Sequence, residues 1–375
     1  MTIRVMHLIG GGELGGAEHH VLNLLRHSSQ EDIFAVLGCL VKKSPFAALA
    51  RSLGIESIVF PMRFALDIFP IFQIVKSCRI HRIDLIHCHG TRANLVGRLA
   101  AKISSLPCIS TVHSLPEWDY PAVWKGQAAL KIDNLTLPLT SGFIAVSANI
   151  QENLAFRLNH QGLKLPAKTI YNGVNRLDFS CREQMRSDFR KKWNISPSCK
   201  LVGSIGRLHP VKGHLFLIEA MKLLMTDRSD LHLVIIGEGP SHEQLERLLI
   251  SYQIPYTLAG YLPDAWKTLP AMDLFVLPSL SEGMGLVLLE AAQAEIPIVA
   301  SRVGGIPELF QDNSEALLAN PGDPADLAKS CSRMLNDPDL SRRFIINARQ
   351  KALEFTIDKM AKDTTAFYHH ILSQK

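Results

Sequence analysis

The chain of 375 residues is long enough for two domains, each with its own core. Apolar residues make up 47% and charged residues 20%, which excludes disorder or a collagen-like repeat as the main state. Forty Lys+Arg against 35 Asp+Glu leave a net charge of +5, scattered without long like-charge runs, so the chain does not read as a nucleic-acid binder.

Seven cysteines, an odd number with no C-x-x-C pair, suggest neither a disulfide framework nor a zinc knuckle and fit a reducing compartment. Residues 2–9 run from a short strand directly into glycines, without the apolar core of a signal peptide. The longest apolar stretch, 64–75, is broken by Asp67, Pro70 and Gln73 and falls short of the roughly 18 residues of a membrane span. A cytoplasmic protein is expected.

Strands are expected at 3–9, 33–41, 56–60, 84–88, 108–112, 142–146 and 167–170, most followed by a helical pattern. Ser44 caps a helix that begins at Pro45, and Thr91 is expected to cap the one running through Leu95, Leu99 and Ile103. After Tyr171-Asn172-Gly173-Val174 the rhythm restarts, with strands at 200–205, 231–236, 256–259, 273–277, 297–300 and 315–318. Alternating β and α elements build parallel sheets, so the expected fold class is α/β, two doubly wound Rossmann-like domains facing a cleft. The expected domains are 1–174 and 175–355, with 356–375 as a helix packing back on the first. The last fifty or so residues read as two helical patterns without a strand.

Three motifs carry chemistry. The first βα turn, Gly10 to Glu18, satisfies G-x-G-x-x-G through Gly10, Gly12 and Gly15, which suits any anion at a helix N-terminus. The second strand runs into Lys42-Lys43 instead of an acid for a ribose, which disfavours NAD and leaves NADP open. In the second half, the strand at 273–277 runs into a glycine-flanked helix start, where N–H groups at Met284, Gly285 and Leu286 suit a diphosphate. Glu282 and Glu290 flank it. At helical rise they lie about 12 Å apart, too far for a glycosidase pair and right for the two ends of an extended ligand such as a nucleotide sugar. Glu290 stands among Leu286, Val287, Leu288, Leu289, Ala291 and Ala292, where a carboxylate needs a partner. The third motif, Gly206-Arg207-Leu208 with Lys212-Gly213, offers a guanidinium fork and an ammonium to an anion.

In order along the chain, Gly15-Gly16-Ala17-Glu18, His87-Cys88-His89, Ser110-Thr111-Val112-His113, Tyr171-Asn172-Gly173-Val174, Gly206-Arg207-Leu208, Lys212-Gly213, Glu282 with Glu290, and Gly304-Gly305-Ile306-Pro307-Glu308 resemble the retaining glycosyltransferases of family four, the group-one transferases of GT-B fold. The resemblance implies that Arg207 and Lys212 neutralise a diphosphate, that Glu290 holds ribose hydroxyls, and that Glu282 and His113 contact the donor sugar. Met284, Gly285 and Leu286 would meet the phosphates, and Gly16 would keep the first loop close to them. It further implies a nucleotide-sugar donor, most simply a UDP-sugar, and a glycan or lipid-linked acceptor in envelope polysaccharide or glycolipid synthesis. No group acts as covalent nucleophile and no cofactor is required; charge stabilisation of the departing diphosphate carries the chemistry. Methionine at 284 and Glu295 depart from residues common in the family.

No metal is expected to be required. Asp337-Pro338-Asp339 has the letters of a metal-binding pair but the context of a turn between helices. His7, His19, His20, His87, His89 and His113 crowd strand ends without metal-ligand spacing, and His113 is the one expected to touch substrate. Phe69, Ile71, Phe72, Ile74 and Val75, with Lys76, Arg79 and Arg82, can lie on a membrane surface, although core packing accounts for most of them. Trp118, Tyr120 and Trp124 can line the acceptor side. The rival readings are a nucleotide-sugar epimerase of the same fold, an NADP-dependent oxidoreductase, and a binding protein without turnover.

Overall fold

The structure, a computed structural model, describes residues 2–12, 15–27, 32–118 and 122–374. They form two compact units, one up to Gly173 and again from Thr356 on, the other Val174–Phe355. The division falls one residue before the one read from the sequence.

Unit 1 holds β1 (Ile3–Ile9), α1 (Gly16–His27), β2 (Ile33–Cys39), α2 (Pro45–Ser52), β3 (Ser57–Val59), α3 (Pro70–Ile80), β4 (Leu85–His89), α4 (Thr91–Ser104), β5 (Cys108–Val112), α5 (Val123–Thr136), β6 (Gly142–Ala145), α6 (Ala148–His160) and β7 (Ala167–Thr169). The strands are parallel in the order β3-β2-β1-β4-β5-β6-β7. Sequence order reverses between β1 and β4, the topological switch point of the sheet. The strands are short and apolar because both faces are covered.

Ser44 accepts from the Ala47 N–H at 3.0 Å and Pro45 opens α2, as its sequence dictates. Thr91 behaves differently from the expectation: it is the first residue of α4, and Gly90 at φ +85° takes the capping place, which a side chain rarely adopts.

Unit 2 holds α7 (Arg182–Lys192), β8 (Lys200–Ile205), α8 (His214–Leu224), β9 (Leu231–Ile236), α9 (His242–Ser251), β10 (Tyr256–Leu258), β11 (Leu274–Leu277), α10 (Leu286–Gln293), β12 (Ile298–Ser301), α11 (Ile306–Leu309), β13 (Leu317–Ala319), α12 (Pro324–Asn336) and α13 (Pro338–Ala352). Its parallel sheet runs β10-β9-β8-β11-β12-β13, with the reversal between β8 and β11. Three helices, not two, follow the last strand; the Asp337-Pro338 turn between helices, as read from the sequence, ends α12 and starts α13, with the Asp337 carboxylate accepting from Leu340 N–H at 2.9 Å. The third, α14 (Ile357–Ser373), belongs to unit 1 and buries Phe367, Tyr368 and Ile371 against Val5, Leu85, Ile109 and Ile144.

Unit 1 also buries an ionic network. Arg98, fully buried, donates to Asp133 at 2.9 Å and to Ser110 and Thr136, while Arg157 meets the second oxygen of Asp133 at 2.5 Å. No helix among the described residues is long and apolar enough to cross a membrane.

Candidate active site

In unit 2 the loops after β8 and β11 leave neighbouring strands at the switch point and touch through their backbones. Leu280 N–H donates to Val211 C=O at 2.7 Å. Gly213 sits at φ +67°, and a Cβ there would lie 1.9 Å from the Pro278 carbonyl oxygen, so only glycine permits the approach. This contact brings Lys212 onto Glu282, Nζ to Oε1 at 2.5 Å, and Ser279 donates to the same oxygen at 2.9 Å. A third loop closes from the other side: a Cβ on Gly304, φ +54°, would lie 1.7 Å from the Glu282 carbonyl oxygen. Arg207 is exposed on the loop after β8.

Gly285, at φ +82°, caps α10 without a side-chain acceptor, and no acid stands in the first turn. The first N–H groups of the helix therefore face outward with the positive end of its dipole. Leu286 opens the helix and the Met284 side chain is buried. Glu282 lies in the loop before α10, which begins only after the left-handed Gly285, so the 12 Å spacing from helical rise does not apply. Burial pushes the Glu290 carboxyl up to about 7, and no described side chain pairs with it.

Sequence reasoning missed a hollow of about 510 Å³ lined by Glu238, Gly239, His242, Leu258, Ala259 and Gly260, at the ends of β9 and β10. It adjoins the Arg207 loop: Leu208 N–H donates to Glu238 C=O at 2.8 Å, and Cβ atoms on Gly237 and Gly239 would strike the Gly206 and Leu208 carbonyls. The signal was the pair of glycines around Glu238, both at positive φ.

In unit 1, Gly16 opens α1, and a Cβ on it would meet nothing within 4 Å. The loop before it turns on Gly11, φ +69°, which packs against Ser44 and Cys39. His113 follows β5 and is half-buried, its Nε2 3.1 Å from Nδ1 of His89. His89 in turn faces His7, Nε2 to Nδ1 at 3.1 Å, and His87 bonds Tyr368 Oη at 2.7 Å and Thr111 Oγ1 at 2.6 Å. Burial holds these rings neutral: His7 is lowered to about 3, His20 to about 4, and His87, His89 and His113 well below the usual value. The histidines that the sequence crowds at the strand ends thus form one cluster, in which His19 takes no part.

Trp118, on a short turn, and Trp124, on α5, are 43% and 68% exposed. Gly126 brings the turn onto the helix, since a Cβ there would lie 2.4 Å from the Glu117 carbonyl oxygen. Tyr120 lies outside the described residues.

Residues 185–351 match the family described as glycosyl transferases group 1, and residues 14–176 match glycosyltransferase family 4. An uncharacterised glycosyltransferase of Methanocaldococcus jannaschii is 28% identical over 298 residues, 77% of this chain and 76% of the relative. A UDP-Gal:α-D-GlcNAc-diphosphoundecaprenol α-1,3-galactosyltransferase of Escherichia coli is 25% identical over 287 residues, 73% and 72% of the two chains. Among solved structures, Anabaena HepE in complex with UDP and glucose superposes with a TM-score of 0.83 at 22% identity, covering 98% of this chain and all of that one. The fold is therefore GT-B, and the chain belongs to the group 1 glycosyltransferases.

Proposed function

We propose that the chain moves a sugar from a UDP-sugar to a glycan or lipid-linked acceptor with retention of configuration, without a required metal or cofactor. The observation that carries the reading is the Lys212–Glu282 pair beside the uncapped N-terminus of α10, with the protonatable Glu290 further along the same helix. In this reading Arg207 and Lys212 draw the diphosphate to the N–H groups at Met284, Gly285 and Leu286, and Glu290 accepts from the ribose hydroxyls. The hollow beside Glu238 takes the base. Glu282 and His113 contact the sugar, and Gly16 leaves the first loop free of side-chain bulk.

The acceptor oxygen forms its bond to the anomeric carbon on the face from which the phosphate oxygen departs, and that oxygen takes the acceptor's proton. Positive charge and helix N–H groups stabilise the diphosphate as the bond breaks. Trp118, Tyr120 and Trp124 are assigned to the acceptor, which in the E. coli relative is lipid-linked by name. A peripheral contact with the inner face of the membrane belongs to the same reading, and an apolar patch supports it. Phe64, Leu66, Ile68, Phe69 and Phe72 are all at least half exposed, beside Arg63 and Lys76, while Ile71, Ile74 and Val75 fill the core. The test is a panel of UDP-sugars with polyprenyl-diphosphate sugars as acceptors. An α-linked product by NMR supports the reading, and turnover with inverted configuration or none from any nucleotide sugar refutes it.

A further inference from the structure

We propose that the buried histidines of unit 1 form a binding site for a divalent transition-metal ion of the Zn²⁺ class, ligated by one ring nitrogen each from His20, His89 and His113. Topology places them together. His7 pairs with His87 across β1 and β4, and His89, two residues on, lies on the same face of the sheet, while Cys88 points into the opposite core. The end of β5 supplies His113, and α1 lays His20 over both. The His20 ring centroid is 4.8 Å from that of His113 and 5.8 Å from that of His89.

The distances suit a metal. One nitrogen from each of the three rings lies within 4.8 Å of the others, and the His89–His113 pair stands at 3.1 Å. Ligands about 2.0–2.1 Å from a tetrahedral zinc are about 3.3 Å apart, so a modest inward shift of His20 completes the triangle. A second set, His7, His87 and His89, is equally compact, but both nitrogens of His87 are already committed to Tyr368 and Thr111. His20 is the reverse case: fully buried, with neither ring nitrogen in a hydrogen bond of ordinary geometry and Asn172 as its polar neighbour. Such a group is costly to bury unless something accepts its lone pair.

The surroundings complete the argument. With His89 ligating through Nδ1, its Nε2–H donates to His7 Nδ1, the outer bond that fixes ring and tautomer in histidine metal sites. All ligands are neutral imidazoles without carboxylate or thiolate, a set that selects Zn²⁺, Co²⁺, Ni²⁺ or Cu²⁺ over Mg²⁺. His113, the half-buried member, leaves the fourth position to water. The site does not serve transfer: on the proposed reading of His113 as a donor contact, an ion there withdraws that side chain, so Zn²⁺ inhibits.

The test is Co²⁺ titration of the purified protein without nucleotide or sugar, so that its outcome is independent of whether the chain transfers sugar. Visible bands of four-coordinate Co²⁺ should appear, saturate at one ion per chain, vanish on adding Zn²⁺ and survive excess Mg²⁺. His20→Ala and His89→Ala should each weaken binding by more than about tenfold, since even outer-shell losses cost that much, while His87→Gln retains it. X-ray absorption of the zinc-loaded wild type should count three imidazoles, which keeps the question decidable if a variant does not fold. Absent bands, fewer than three imidazoles, or undiminished binding in His20→Ala would overturn the site.

Discussion

Lys212 and Glu282 meet at 2.5 Å across two loops that the Leu280–Val211 backbone hydrogen bond ties together, so the cation and carboxylate are held as a pair. In the proposed mechanism the pair opens when a diphosphate takes over the ammonium, and the carboxylate, still held by Ser279, turns to the sugar. Lys212→Met should weaken UDP binding by about tenfold or more, as befits loss of a charge-assisted contact. Glu282→Gln should leave UDP affinity nearly unchanged and lower turnover by about a hundredfold. Calorimetry with UDP and initial rates separate the two, and equal effects on both quantities would refute the division of labour.

Glu290 gives a pH signature. Its carboxyl is raised to about 7 by burial, so the folded state holds a proton that the unfolded state releases near the ordinary 4.5. Stability therefore falls as pH rises from about 4.5 to about 7 and is level above. Glu290→Gln should melt higher than wild type at pH 8 and match it near pH 4.5, while losing UDP binding. Parallel melting profiles for the two proteins would show that the carboxylate is not desolvated.

Gly213→Ala tests the loop contact. The added Cβ would lie 1.9 Å from the Pro278 carbonyl oxygen at a φ of +67°, which forces the loops apart. Denaturant unfolding should register a loss of about 1–3 kcal/mol, and transfer should fall with it because Lys212 moves. A variant of wild-type stability and rate would mean that the loops separate freely.

The buried network of unit 1 predicts an asymmetry. Burial raises the Asp133 carboxyl, but Arg98 and Arg157 more than offset it and hold it below the ordinary range. Asp133→Asn strands the fully buried Arg98 charge and should cost about 3–5 kcal/mol. Arg98→Met leaves Asp133 paired with Arg157 and should cost less. Thermal or chemical denaturation ranks the two, and the opposite order would contradict the electrostatic account.

The exposed aromatics beside α3 test the membrane contact. Phe69 and Phe72 are 65% and 70% exposed, so Phe69→Ser with Phe72→Ser should leave the fold intact. Co-sedimentation with anionic vesicles should drop several-fold. Unchanged sedimentation would remove this patch from the membrane assignment.

What the sequence made legible was local chemistry. The Ser44-Pro45 start and the Asp337 cap follow from side chains acting within three residues, and strand positions follow from apolar runs covered on both faces. Thr91 was misread because the capping place depends on the backbone of Gly90, which a residue pattern does not display. The Lys212–Glu282 contact was invisible, and the histidines, seen to crowd strand ends, were set aside as a metal set, for a different reason. Their members lie on separate loops and strands, and only the sheet order brings them together. The apolar neighbours in the sequence marked Glu290 as needing a partner, and the structure shows it buried with no described side chain supplying one.

The return of α14 to unit 1 fixes an order of events on the ribosome. Every residue of unit 2 has been synthesised by Phe355, whereas the sheet of unit 1 still lacks Phe367, Tyr368 and Ile371 from its covering face. The half encoded second is thus the first able to finish folding, and the half encoded first must wait with an apolar surface uncovered, a window in which chaperones have something to hold. For the same reason a premature stop after residue 355 would spare unit 2 and cripple unit 1.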